Sequence, residues 1–201
     1  MVLIEGGQGA IASYPYEDIE SGFGMVKYYL YSSEDASGKD YVIGKEQNYS
    51  VDRKLDVGTY NFYTGIFNRP KVLEGTTISN FCHKIFAYAE RTTNINLTFY
   101  HYDGSTSTQI GDVWNSQDFT NGGNDQETFY VNAFHNLPRT KFRVGDQLRV
   151  ELEFTTSGSG VLYQIGIDPM NRDAGGNGIN PSTDPTAFTT FTLQIPFRIN
   201  E

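Results

Sequence analysis

From Gln147 to Thr155 the chain reads QLRVELEFT, with every second residue apolar. Leu148, Val150, Leu152 and Phe154 fall on one side; Arg149, Glu151, Glu153 and Thr155 fall on the other. A period of two fits a strand with one buried face, whereas a helix would repeat its apolar side about every 3.6 residues. The alternation returns at residues 94–102, where Ile95, Leu97 and Phe99 oppose Asn96, Thr98 and Tyr100. It returns again at 161–167, through Val161, Tyr163, Ile165 and Ile167, and in the closing run Phe191, Leu193, Ile195 and Phe197. Pro196 sits inside that last run and cannot donate a ladder hydrogen bond. Its strand is therefore expected at a sheet edge or ending in a bulge.

Less regular strands are expected at 26–32, 40–43, 59–64, 76–88, 106–112 and 127–134. Turn residues separate them: Ser37-Gly38, Asp103-Gly104, Asn121-Gly122-Gly123 and Ser157-Gly158-Ser159-Gly160. Asp103-Gly104 and the Gly/Ser run each lie between two alternating segments, as hairpin turns do. About ten short strands joined this way predict an all-β fold, an antiparallel β-sandwich or jelly roll, and not a βαβ arrangement. A length of 201 residues suits one such domain, here 25–201, with a core large enough to need no staple. The single cysteine, Cys82, excludes an internal disulfide and a multi-Cys zinc site. Lying inside a predicted strand, it reads as a buried, inert thiol.

Two segments stand apart from the sandwich pattern. Residues 1–24 are rich in Gly and Ala and carry Tyr14-Pro15-Tyr16 before Glu17-Asp18. Their plain reading is a frayed terminus; their functional reading is an extended N-terminal arm that orders on a neighbouring subunit. The second segment is 168–185, DPMNRDAGGNGINPSTDP, an eighteen-residue polar loop between two strands. Loops beyond ~12–15 residues in a compact domain are usually functional or mobile.

Fifteen Lys and Arg against 24 Asp and Glu leave a formal charge of −9. Such a chain lacks the basic footprint of sequence-independent nucleic-acid binding. No apolar run approaches the ~18 residues of a membrane helix, and no secretion signal is visible at the start. Neither a phosphate-binding loop nor a strand-helix dinucleotide fingerprint occurs, so no cofactor is expected. His83, His101 and His135 are scattered along the chain, with no HExxH or CxxC context to make a metal site. His101 continues the inward face of its strand and reads as a satisfied, partly buried histidine. A Ser-His-Asp site stays open, because such triads assemble across long separations. Asp168, Asn171, Asp173, Asn177 and Asp184 could offer oxygens to calcium, but Asx residues in loops are more often turn formers. Glu151 and Glu153 share the polar face of one strand, which a solvated face explains without glycosidase chemistry. Tyr28, Tyr29, Tyr31, Tyr60, Phe62, Tyr63, Tyr100 and Tyr102 crowd both pleat faces. They suit half-buried outer faces, an interface between copies, or a sugar-stacking platform. Trp114, in a loop-like DVWNSQDF stretch, suits a core plug or a stacking residue.

The C-terminal half strings together FRVGDQLRVELEF, a Gly/Ser turn, YQIGIDPMNRD, INPSTD and FTLQIPFRI. This series resembles a group of tailed-bacteriophage virion proteins common in environmental and marine phage genomes. There a "GD/GE-LR-V-V" strand precedes a "DP-NR" loop and a terminal "IPF-I" strand. Arg69-Pro70, Val72-Leu73-Glu74-Gly75-Thr76, Asn80-Phe81 and Tyr102-Asp103-Gly104 extend the similarity, which covers 70–201 well and 1–69 loosely. Asp168-Pro169-Met170-Asn171-Arg172 and Ile195-Pro196-Phe197 are its specific parts. The resemblance implies a particle component and not an enzyme: a capsid decoration or cement protein located in the virion. Its partners would be copies of itself, as a homo-oligomer such as a trimer, and the major capsid protein. It supplies no catalytic residues. It implies that Asp168-Pro169 turns the chain out of a strand and that Arg172 pins the loop through a carboxylate or carbonyl. Interface candidates are Tyr14, Tyr16, Trp114, Asp168, Asn171 and Arg172. The alternative is a receptor- or carbohydrate-binding module of a tail, fibre or neck.

Overall fold

A computed structural model describes residues 23–35, 38–123, 125–158 and 162–198. Tyr14, Tyr16 and the remainder of 1–22 lie outside these residues, as do Ser37, Ser159, Gly160 and Val161. The described residues form an all-β fold. Its strands are β1 (Phe23–Asp35), β2 (Gly38–Gly44), β3 (Lys54–Leu55), β4 (Gly58–Thr64), β5 (Lys71–Ala87) and β6 (Arg91–Tyr102). They continue as β7 (Ser107–Asn115), β8 (Phe119–Asn121), β9 (Asp125–Phe142), β10 (Gln147–Thr156), β11 (Leu162–Gly166) and β12 (Phe191–Arg198). β1 begins two residues inside the stretch read as an arm.

The hydrogen-bonded order is β3-β11-β5-β12-β1-β2-β4-β10-β6-β7, with β9 on the other side of β5 and β8 beside β6. All pairs are antiparallel except a short parallel contact of β2 with β4. The path folds on itself into a sandwich. Phe99 of β6 meets His135 of β9 at 4.7 Å, and His83 of β5 meets Phe154 of β10 at 5.0 Å. Those strands share no ladder, so their rings meet across two facing layers. β1 links the layers: residues 23–30 pair with β12, and residues 29–35 pair with β2.

Alternation fills the core as the sequence requires. Leu148, Val150, Leu152 and Phe154 are fully buried, as are Ile95, Leu97, Phe99 and Ile165. Burying a side chain of this size stabilises by roughly 1.5–3 kcal/mol. They join Phe81, Phe191, Leu193 and Ile195 in one continuous cluster.

Two strands depart from expectation, and a third takes one of its two expected forms. β12 has the bulge and not the edge: it lies between β1 and β5, and Pro196 is accommodated by a register shift between Gln194 and Phe197. Gly75, at φ 117°, lies against the Pro196 ring, a conformation that disfavours any other residue. β9 does not stop at Phe134 but continues to Phe142. Pro138 sits in a second shift, on a strand whose outer edge has no ladder partner among the described residues. Trp114 is not in a loop. A shift at Gly111, φ 69°, lets β7 continue, so Trp114 pairs opposite Leu97.

Candidate functional site

The loop between β11 and β12 packs as a third layer on the outer face of β5. Asp168 is fully buried and is the root of the arrangement. It accepts from Arg172 Nε at 2.6 Å and from the backbone amides of Met170 and Arg172 at 3.2 Å each. Arg172 Nη2 donates to the Ser50 carbonyl at 2.8 Å, and its guanidinium lies 4.8 Å from the centre of the Tyr49 ring. The expected pinning by carboxylate or carbonyl is thus made by both. Asn171 adopts φ 54°, and its side-chain oxygen accepts from the Thr189 amide at 2.8 Å. Three of the sequence candidates, Asp168, Asn171 and Arg172, therefore form one structural unit.

Further along, Lys84 reaches up from β5 and donates to the Gly178 carbonyl at 2.8 Å. Ile179 and Ala187 close over Cys82. Burial pushes the Cys82 thiol up to about 11, the state of an inert cysteine. The carboxylates read as calcium ligands serve the loop itself. Asp173 accepts from the Ser182 hydroxyl at 2.9 Å, and Asp184 accepts from the Thr186 hydroxyl at 2.6 Å. Among the described residues no group of three or more His, Cys, Asp or Glu converges as a metal site would.

Beside this loop runs an open groove of about 630 Å³. Tyr29, Tyr130, Met170 and Phe188 supply its apolar walls; Asn80 and Gln194 supply amides on its floor. Tyr130 and Phe188 meet edge to face at 5.2 Å, and Lys27 lies 5.2 Å from the centre of the Tyr29 ring. On the same face of β9, Phe134 stands free, 61% exposed. Sequence reading missed Tyr130 and Phe134. The signal was their shared parity with Asn132, opposite the buried Val131, Ala133 and His135. The tyrosines it did single out are less open: Tyr28, Tyr31 and Phe62 are buried, while Tyr29, Tyr60, Tyr63, Tyr100 and Tyr102 are half-buried. Trp114 is also half-buried and packs 5.8 Å from His135, as a plug on the core and away from the groove.

The histidines are separate structural units. His83 bonds the Thr93 hydroxyl at 2.7 Å and the Gln164 carbonyl at 3.1 Å. His135 is within 3.4 Å of the Ser79 hydroxyl, inside the core. Burial pulls both His83 and His135 down to about 4, so each is neutral at pH 7. His101 is half-buried and meets Asp146 at 2.6 Å, as expected of a satisfied histidine. The Ser-His pair and the His-Asp pair thus use different histidines. On the polar face of β10, Glu151 pairs with Arg149, and Glu153 accepts from Asn96 at 2.8 Å.

No family model matches the chain, and no curated protein matches it. Among solved structures it is similar to a CocE/NonD family hydrolase from Staphylococcus aureus, at 10% identity and TM-score 0.51. That likeness covers 88% of this chain and 36% of the other. It is similar also to an aminopeptidase from the marine sediment archaeon Thaumarchaeota archaeon, at 8% identity and TM-score 0.50, over 96% of this chain and 40% of that one. A likeness to a structure of infectious bursal disease virus has TM-score 0.30 and carries no argument. The chain spans well under half the length of the two enzymes, and at such identity the likeness concerns the fold alone.

Proposed function

We propose that this chain is a non-enzymatic structural protein of a phage virion, a decoration protein that binds the capsid lattice and stabilises it. The observation that carries the reading is the outer side of β9. Tyr130 and Phe134 are 58% and 61% exposed on one face of a long strand whose far edge has no ladder partner among the described residues. Exposed aromatics on an open strand edge are the usual material of protein docking. The partners are the major capsid protein and copies of this chain, as a homo-oligomer such as a trimer, and the location is the virion. A protein that binds only the assembled shell stabilises it by mass action. The absence of catalysis is part of the proposal, supported by the enclosure of Cys82, His83 and His135.

The groove of Tyr29, Tyr130 and Phe188 with the amides of Asn80 and Gln194 favours a second reading, a carbohydrate-binding module on a virion appendage. Rings that stack and amides that bond hydroxyls are what a sugar needs.

Co-sedimentation with capsid shells of the source phage tests the first reading. The chain is expected to pellet with shells, and a Tyr130→Ser, Phe134→Ser double variant to stay in the supernatant. Failure of the unaltered chain to pellet would overturn the decoration reading. Saturable glycan binding, lost in Tyr130→Ser, would then favour the second.

A further inference from the structure

In a chain of net charge −9, five cations gather at one end of the sandwich. Lys71, Lys141 and Arg143 line a cleft of about 570 Å³, whose apolar lining is Pro70, Val72, Phe142 and Val144. Lys45 and Arg69 add to the charge felt at Lys71, whose ammonium is pushed below the usual lysine range, first by burial and then by these two neighbours. None of the five forms a close ion pair with a carboxylate among the described residues; the Arg143 charge is felt at Asp146 without direct contact of the two groups. The two acids in the lining are already engaged. Asp146 accepts from His101 and from the Arg143 amide, and Asp103 accepts from Ser105 and Thr106. Cations grouped with apolar lining residues fit a peptide that carries both carboxylates and rings.

The sequence holds such a peptide. Tyr14-Pro15-Tyr16-Glu17-Asp18-Ile19-Glu20 has three carboxylates, two phenol rings and an isoleucine within seven residues. It ends three residues before β1. Gly24 of β1 pairs with Phe197, Phe197 pairs with Leu73, and the Lys71 ammonium lies 6.0 Å from the Phe197 ring centre. The chain therefore enters β1 alongside the cleft, and three residues can span about 10 Å. We propose that residues 14–20 of this chain bind the cleft of Lys71, Lys141 and Arg143. The segment is that of the same copy, because β1 of that copy starts beside the cleft.

Carbodiimide cross-linking of the full-length chain tests it, because the reagent joins carboxylates to lysines in direct contact. Peptide mapping should find Glu17, Asp18 or Glu20 joined to Lys71, Lys141 or Lys45. Linkage is expected in the monomer band; linkage confined to a dimer or trimer band would overturn the same-copy assignment. The exposed pair Lys54 and Asp56, 3.5 Å apart, is the internal positive control. An Arg69→Glu, Arg143→Glu variant keeps every lysine and should lower the yield by about fivefold. Glu17→Arg with Asp18→Arg in that background should recover linkage through Glu20. Linkage of Lys54 to Asp56 without any link from residues 17–20 to these lysines would overturn the proposal, as would a yield indifferent to the arginine charges. Shell co-sedimentation reads the decoration role separately, so either idea can fail alone.

Discussion

Arg172 donates from Nε to Asp168 at 2.6 Å, and the carboxylate that receives it has no exposed surface. The same guanidinium reaches back to the Ser50 carbonyl, 122 residues away in sequence. The long loop between β11 and β12 is therefore fastened at its root to a distant part of the sandwich. Removing either partner strands the other: a buried ion left unpaired costs about 3–5 kcal/mol, reduced here because Arg172 is partly open to water. Arg172→Ala is expected to loosen the loop and uncover Cys82, which Ile179 and Ala187 now close over. The reaction rate of Cys82 with a thiol reagent should rise about tenfold or more. An unchanged rate would mean that the loop holds without its root.

Gly166 of β11 packs tightly against the backbone at the end of this loop. A Cβ there would lie 2.5 Å from Thr189 Cα. Backbone cannot yield as a flexible side chain can, so Gly166→Ala should destabilise by about 3 kcal/mol. Gly65→Ala is the control. Nothing lies within 4 Å of its Cβ position, and a change within ~0.5 kcal/mol is expected. Denaturant midpoints of the two variants compare them directly.

Stability should fall on mild acidification. His83 and His135 have folded values near 4 against about 6.5 for a free histidine, so the unfolded chain binds protons that the folded chain refuses. Their stabilisation is complete above about pH 6.5 and is lost as pH falls towards 4. At pH 5 each histidine would forfeit roughly 2 kcal/mol. Urea unfolding at pH 7 and pH 5 should show the drop, and His135→Leu should shrink it. A flat profile over that range would contradict neutral, enclosed imidazoles.

Leu152→Ala should cost ~2–5 kcal/mol, as for a fully enclosed leucine that leaves a cavity. Glu153→Ala, on the opposite side of the same strand, should stay within ~0.5 kcal/mol. Thermal or chemical denaturation of the pair reads the orientation of β10, and equal losses would contradict the two-faced strand.

Local residue pattern was enough to give the strand type of the chain and the faces of its cleanest strands. Leu148, Val150, Leu152 and Phe154 announce their burial because pleating sends successive side chains to opposite sides, a rule that acts within a few residues. The Asx turns were legible for the same reason: Asp103 and Asp184 bond amides two or three residues away. Features that depend on partners far along the chain came from the packing of the whole fold. Pro196 pointed to an edge or a bulge, and only the pairing of β12 with both β1 and β5 chose the bulge. Trp114 looked like a loop residue until Gly111 let β7 bend and continue. The groove walls Tyr29, Tyr130 and Phe188, and the basic cleft of Lys71 with Lys141 and Arg143, draw on residues spread over much of the chain. No local period encodes such a meeting: it follows from which strand edges pair and in what register, and that choice is made by burial of the whole core at once.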